Sequence, residues 1–189
     1  SDSVELTKKE MFKDIDWDYF LDLVMHHRIY SLVYLRLKEF NNILVPNSII
    51  QSLEQEYKKN TFQMLYLSGE MEKISKIFTE NAIRTIFLKG PPVAYDLYGD
   101  ISLRSSKDLD ILIPEIDLEK VESILFNLGY VKEEAPTLLN ERKWRKHHTE
   151  YFHPQKRIQL EIHWRLHNKP MKEPSFNELW KRKRVTPLT

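Results

Sequence analysis

The segment Leu103-Arg-Ser-Ser-Lys-Asp108-Leu-Asp110-Ile-Leu-Ile113 places two carboxylates two positions apart at the start of an apolar run. In a β-strand, the side chains of residues i and i+2 point to the same face. The pattern therefore predicts a strand with both aspartates on one face and Leu109, Ile111 and Ile113 on the other. Two carboxylates held this close repel each other, and a divalent cation relieves the repulsion. Ligand sets made only of oxygen suit Mg²⁺ or Mn²⁺.

An isolated Asp-x-Asp also fits a solvated strand edge or a turn, so the motif needs support from other residues of the chain.

The 189 residues carry a formal net charge of +1 and no cysteine. Disulfides and thiolate metal sites are therefore excluded. No apolar run is long enough to span a bilayer, and we expect a cytoplasmic protein without a membrane partner. The weak net charge disfavours nucleic acid as a partner without excluding it.

The apolar pattern divides the chain into three regions. Residues 1–80 are predicted to be helical, with one helical stripe from Trp17 to Leu37 and a second helix from about Ser48 to Asn81. The residues of the second helix expected to be buried include Ile50, Leu53, Tyr57, Leu65, Met71, Ile74 and Phe78. Residues 81–170 mix short strands and helices, and they include a polar connection over 132–145 that we interpret as a mobile flap. Residues 171–189 are predicted to begin a further helical region that continues beyond the printed sequence.

A third carboxylate lies in the alternating segment Ile158-Gln-Leu-Glu-Ile-His-Trp164. As a strand, this segment puts Gln159, Glu161 and His163 on one face. A hairpin with the strand-like run 148–152 would bring Glu161 beside the two aspartates. Three carboxylates on neighbouring strands can hold two divalent ions about 3.5–4 Å apart. Such a pair of ions serves phosphoryl transfer by activating a hydroxyl and stabilising the leaving pyrophosphate.

A second candidate element is the turn Lys89-Gly90 between a predicted strand over 84–88 and a predicted helix over 93–98. A glycine lets the backbone approach a ligand closely, and the start of a helix offers N–H groups to phosphate. An ordinary strand-to-helix turn explains the same residues.

The residues around these elements allow more than one interpretation. Arg104 and Lys107 can meet a phosphate or form salt bridges, and Ser106 can bond phosphate or make the turn. His163 can act as a base, a metal ligand or a phosphate contact. It belongs to a crowded set of histidines: His147, His148, His153, His163 and His167. A zinc metallohydrolase built on them is a further hypothesis, although no H-E-x-x-H or comparable spacing supports it.

Several motifs together resemble a known family: Leu88-Lys-Gly90, Leu97-Tyr-Gly-Asp100, Leu103-Arg104, Asp108-Leu-Asp110-Ile-Leu-Ile113, His148-Thr-Glu150 and Leu160-Glu-Ile-His-Trp164. They are similar to the uncharacterised nucleotidyltransferase family of the polymerase-beta-like superfamily. The resemblance covers about residues 80–170, with the N-terminal helices as the usual lead-in. It implies an α+β fold, in which a small mixed β-sheet with flanking helices follows an N-terminal helical region.

The resemblance also implies a metal-dependent nucleotidyltransferase that moves a nucleoside monophosphate from a nucleoside triphosphate such as ATP to a hydroxyl acceptor. Asp108, Asp110 and Glu161 would bind Mg²⁺ or Mn²⁺, and Lys89 and Gly90 would hold the phosphates. Further nucleotide contacts would come from Arg104, Ser106, Lys107 and His163. The acceptor is expected to be a small molecule or a protein, and an RNA end is a less favoured acceptor.

Two features depart from the pattern of the superfamily. Gly90 is followed by Pro91 where serine or glycine is usual, and proline has neither a hydroxyl nor a backbone donor. Glu161 stands where aspartate is commoner. The Gly-Pro turn, together with an expected truncation at the C-terminus, favours the alternative of a non-catalytic module that keeps the fold and binds a nucleotide or a partner.

Overall fold

The computed structural model describes residues 12–40, 44–133, 147–167 and 171–186. The helices are α1 (Trp17–His26), α2 (Tyr30–Leu37), α3 (Asn47–Glu80), α4 (Pro91–Tyr98), α5 (Leu118–Asn127) and α6 (Phe176–Arg182). The strands are β1 (Ile86–Phe87), β2 (Asp108–Leu112), β3 (Val131–Lys132), β4 (His148–His153) and β5 (Ile158–His163). Short 3₁₀ turns cover Ile101–Leu103 and Glu115–Asp117.

The strands form one mixed sheet with the order β1-β2-β5-β4-β3. Strands β2 and β5 run parallel, and the other neighbouring pairs run antiparallel. The hairpin β4–β5 therefore inserts β5 beside β2, although 45 residues separate Leu112 from Ile158 in the chain. Helices flank the sheet and precede it, which confirms the predicted α+β class.

One face of the sheet is apolar and lies in the main hydrophobic core. The alternate residues of 109–113 and 158–162 on this face are fully buried: Leu109, Ile111, Ile113, Ile158, Leu160 and Ile162. Trp164, which continues the same alternation after β5, is half-buried. They pack with the second half of α3 and with α5, through Met64, Leu67, Ile74, Phe78, Val121 and Leu125. Since these groups leave water on folding, this face supplies much of the hydrophobic stabilisation of the fold.

The N-terminal helices form a smaller apolar cluster around Val24, Leu37, Val45, Ile49 and Leu53. Helix α3 contributes to both clusters, with Leu53 in the smaller one and the segment 64–78 in the main one. It thus connects the helical lead-in to the sheet. The proposed boundaries at residues 80 and 170 stay a prediction.

Three local predictions were wrong. The helical stripe from Trp17 to Leu37 is two helices, because Arg28 adopts a φ of 55° that no α-helix continues through. The strand predicted over 84–88 shortens to Ile86–Phe87. Leu65, which the helical pattern placed among the buried residues, is 55% exposed on α3.

A polar cluster ties the main core together. Glu70 of α3 is 7% exposed and accepts hydrogen bonds from Tyr130 Oη at 2.9 Å and from Lys156 Nζ at 2.6 Å. Lys156 lies in the turn between β4 and β5, and Tyr130 directly precedes β3. Helix α3 is therefore anchored to the hairpin by a fully partnered carboxylate.

Most of the connection predicted over 132–145 lies outside the described residues. Among the residues that are described, none of the helices has the length and apolar character needed to cross a membrane.

Candidate functional site

The polar face of the sheet collects carboxylates from two neighbouring parallel strands. Asp110 of β2 is opposite Glu161 of β5, and Asp108 is opposite Gln159. Since cross-strand partners share a face, Asp108, Asp110 and Glu161 project on the side away from the main core. The sheet order thus brings together residues that are about 50 positions apart in the sequence.

The turn at Gly90 brings a lysine to this face. Gly90 has φ 86° and ψ −152°, a conformation open essentially only to glycine, and a Cβ there would lie 3.3 Å from Leu109 Cδ2. The chain therefore passes close against β2 at this point. Lys89 reaches the carboxylate of Asp110, with its Nζ 2.7 Å from Oδ1.

The helix that follows the turn offers fewer donors than expected. Its first two residues are Pro91 and Pro92, which have no N–H. The N–H of Ala94 already donates to the carbonyl of Gly90. Val93 is thus the one residue of the first turn with an uncommitted helical N–H, so Lys89 becomes the main candidate for a phosphate contact.

His163 completes the central cluster. Its Nε2 lies 3.2 Å from both Asp110 Oδ1 and Glu161 Oε2. Asp110 is only 1% exposed, and its second oxygen, Oδ2, is buried and has no hydrogen-bond partner among the described residues. A buried carboxylate oxygen without a partner is costly, so this atom marks a position where a ligand would be stabilising.

The pKa values of the two carboxylates in the cluster, Asp110 and Glu161, are shifted in opposite directions. Burial alone would raise the pKa of Asp110, but hydrogen bonds to His163 and Lys89 hold this pKa below its ordinary value. The pKa of Glu161 is raised, first by burial and then by the negative charge of Asp110. The pKa of Lys89 is raised by its hydrogen bond to Asp110. The cluster therefore holds one strongly ionised carboxylate beside one that is disfavoured as an anion.

The donor set fits a divalent cation. Asp110, Glu161 and His163 each offer one ligand atom, and these atoms lie within 4.8 Å of one another. Asp108 does not belong to this compact group, although its charge is near enough to contribute to the raised pKa values of Lys89 and Glu161. The imidazole shifts the preference from Mg²⁺ towards Mn²⁺, which accepts nitrogen more readily.

The other residues predicted for the site are distributed around the start of β2. Ser106 is buried and donates to the backbone carbonyl of Asp108 at 3.0 Å, which supports the turn interpretation. Arg104 has a buried Nη1 without a hydrogen-bond partner. Lys107 is exposed and lines a cavity of about 400 Å³ with Arg28 and Lys59. Ser106 Oγ also lies 3.5 Å from Asp108 Oδ1. Among the described residues, no hydrogen bond or salt bridge joins Arg104 or Lys107 to Asp110 or Glu161.

Two histidines, His147 and His148, lie nearer to the carboxylates than the sequence pattern indicated. The antiparallel hairpin pairs His148 with His163, and His147 lies beside them. His153 and His167 lie apart from this group, because His153 packs against Tyr130 and His167 is exposed at the end of β5. The available signal was the alternation of His148 and Glu150 on β4, which puts both on the face of Glu161 once the hairpin register is known.

A family model described as an uncharacterised nucleotidyltransferase matches residues 13–189 of the chain. No curated protein and no solved structure matches the chain.

Proposed function

Because the chain belongs to the uncharacterised nucleotidyltransferase family, we propose that it moves a nucleoside monophosphate from a nucleoside triphosphate to a hydroxyl acceptor and releases pyrophosphate. One observation carries this proposal. Asp110 and Glu161 lie opposite each other on adjacent parallel strands, beside the Lys89-Gly90 turn, and no described residue bonds the buried Oδ2 of Asp110. Paired carboxylates next to a cationic turn are what triphosphate chemistry requires.

Asp108, Asp110 and Glu161 would hold the divalent cations, with Mn²⁺ or Mg²⁺ as the candidates. A cation bound there would lower the pKa of the acceptor hydroxyl and stabilise the charge on the leaving pyrophosphate. Asp110 or Glu161 would take the acceptor proton, since both carboxylates face the same side of the sheet. His163 contacts both of them and would hold their orientation.

Lys89 would have two partners during the reaction. Without substrate it neutralises Asp110, and its side chain remains 50% exposed. This exposure leaves the ammonium group able to turn towards the β- and γ-phosphates when a triphosphate arrives. Gly90 would allow those phosphates to approach the backbone, because no side chain stands in the way.

The acceptor would reach the site from the cavity that borders the start of β2. This cavity is lined by Ser105, Ser106, Lys107, Arg28 and Lys59, and also by Glu56, which forms a salt bridge with Lys59. Arg28 and Lys107 leave the lining with a net positive charge, which favours a small molecule or a protein segment that carries an anionic group close to its hydroxyl.

Pyrophosphate release, measured with Mg²⁺ or Mn²⁺ and each nucleoside triphosphate, tests the proposal. Asp110→Asn and Glu161→Gln should each lower the rate by about 10²–10³-fold, as removal of a key electrostatic group does. Asp22→Asn on the exposed surface of α1 is the matched control and should retain the rate. Equal rates for Asp110→Asn and the unsubstituted protein would contradict the proposal.

A non-catalytic binding module is the second candidate, and one observation favours it. Lys89 occupies Asp110 Oδ1, and the prolines after Gly90 remove donors that a phosphate would use. Such a module would bind a nucleoside triphosphate by calorimetry and release no pyrophosphate under any of the conditions above.

A further inference from the structure

Three imidazoles gather where β4 begins and β5 ends. The register pairs His148 with His163, and Trp164 N donates to the carbonyl of His147 at 3.1 Å. The ring centroids are 4.4 Å apart for His147 and His148, 4.9 Å for His148 and His163, and 5.6 Å for His147 and His163. One ring nitrogen from each lies within 4.8 Å of the other two. Neither the family match nor the proposed reaction gives His147 or His148 a role.

Two details of the group are typical of metal ligands. His148 Nδ1 lies 3.2 Å from His147 Nε2, a distance at which the two rings share a hydrogen bond when no metal is bound. Two nitrogens bound tetrahedrally to one zinc ion at 2.0–2.1 Å would be about 3.3 Å apart, so the spacing already matches. His163 is 7% exposed, and its Nδ1 is buried without a hydrogen-bond partner. The buried ring thus has a lone pair or an N–H that the described residues do not satisfy.

A carboxylate orients one of the rings from behind. His148 Nε2 lies 3.4 Å from Glu150 Oε1, which directs the opposite nitrogen, Nδ1, towards His147. Glu150 is held in turn by Gln159, whose Nε2 donates to Oε2 at 3.1 Å. Histidine ligands of zinc usually donate their second N–H to a carboxylate, which fixes the ring and raises its basicity.

From this geometry we propose that His147, His148 and His163 bind a transition-metal cation, with Zn²⁺ as the best fit. Imidazole nitrogen suits Zn²⁺ far better than it suits Mg²⁺, and three protein ligands leave one position for water or substrate. The site adjoins the carboxylates through His163 and differs from them in ligand chemistry. The proposal does not rest on nucleotidyl transfer.

Titration of the chelator-treated full chain with Co²⁺ and Zn²⁺ tests the site. We expect one equivalent of Co²⁺ to bind with the intense visible absorption of a four-coordinate ion, and Zn²⁺ to displace it. The double variant His147→Ala/His148→Ala should lose this absorption. The matched control is His26→Ala/His27→Ala, since these histidines are also adjacent, with ring centroids 5.0 Å apart, but have no third imidazole among the described residues.

Glu150→Gln gives a graded readout, because loss of a carboxylate behind a ligand typically weakens metal binding about 10–100-fold. Far-UV circular dichroism of each variant establishes that it is folded before the titration.

The proposal is overturned if the unsubstituted chain binds no Co²⁺ or if the His147/His148 variant binds it equally well. It is also overturned if Glu161→Gln abolishes binding and the His147/His148 variant does not, because the ion would then sit on Asp110, Glu161 and His163. Loss of pyrophosphate release has no bearing on any of these outcomes.

Discussion

The structure contains two clusters built on a buried carboxylate and a lysine, one around Glu70 and one around Asp110, and they differ in how completely they are hydrogen-bonded. Glu70 and Asp110 are both nearly inaccessible carboxylates, and each is paired with a lysine at 2.6–2.7 Å. Both oxygens of Glu70 are bonded, to Tyr130 and Lys156. In contrast, Asp110 Oδ2 and His163 Nδ1 are buried and find no hydrogen-bond partner in the described part of the chain.

The difference distinguishes a cluster that holds the fold from one built to bind. A satisfied buried network fixes the packing of its elements, whereas an unsatisfied group costs about 1–3 kcal/mol unless a ligand completes it. The Glu70 cluster locks helix α3 to the hairpin β4–β5 on the core side. The Asp110 cluster lies on the opposite face of the sheet. There the pairing of β2 with β5 places the negative charges of Asp108, Asp110 and Glu161 close together.

The largest expected effect on stability is at Glu70. Glu70→Ala leaves Lys156 and the hydroxyl of Tyr130 without their acceptor. We expect a loss of about 3 kcal/mol, the lower end for a broken buried pair, because Lys156 retains some contact with water. Urea unfolding measures it, with Glu72→Ala on the exposed side of the same helix as the control. A loss no greater than that of the control would remove the distinction between the two clusters.

An intermediate effect is expected where the chain passes beside β2. Gly90→Ala forces a side chain into a positive-φ conformation and places a Cβ 3.3 Å from Leu109 Cδ2. The strain should cost about 1–3 kcal/mol. Because Lys89 is aligned by this turn, nucleotide affinity should fall as well. Gly69→Ala is the control, since no atom lies within 4 Å of its would-be Cβ. Parallel calorimetry and urea unfolding would show whether stability and binding change together.

The smallest expected effects on the free energy of unfolding are at Asp110 and Glu161, and they have opposite signs. The lowered pKa of Asp110 means that its ionised form stabilises the fold above the ordinary aspartate pKa. Asp110→Asn should therefore reduce the free energy of unfolding at neutral pH, and the deficit should vanish as the pH falls through the lowered pKa.

The raised pKa of Glu161 has the reverse consequence. The folded protein binds the proton more tightly than the unfolded chain, so Glu161 opposes folding as the pH rises through the raised pKa. Glu161→Gln should increase the free energy of unfolding at neutral pH, and the gain should fade below the ordinary glutamate pKa. Unfolding at several pH values with metal ions chelated measures both variants. Destabilisation by Glu161→Gln would mean that the carboxylate is structurally satisfied.

Local pattern predicted much of the fold. The alternation in 108–113 and 158–164 assigned the buried face of both strands correctly, because a strand has a period of two wherever it lies. The end of α4 was also readable, since Gly99 adopts the left-handed conformation that follows a helix. The break at Arg28 was not readable, because arginine has no preference for the positive φ that it adopts there. That conformation closes α1 through a hydrogen bond from the N–H of Ile29 to the carbonyl of Val24.

The sequence by itself determined which side chains have the chemistry for metal and phosphate, and on which face of their strands they lie. Only the tertiary structure decided which of them meet, since the pairing of β5 with β2 and β4 depends on contacts far apart in the chain. That pairing brought Asp110, Glu161 and His163 together, left Asp108 at the edge of the group, and gathered His147 and His148 around His163. Side-chain identity is a local property, and the distance between two strands is a consequence of how the whole core packs.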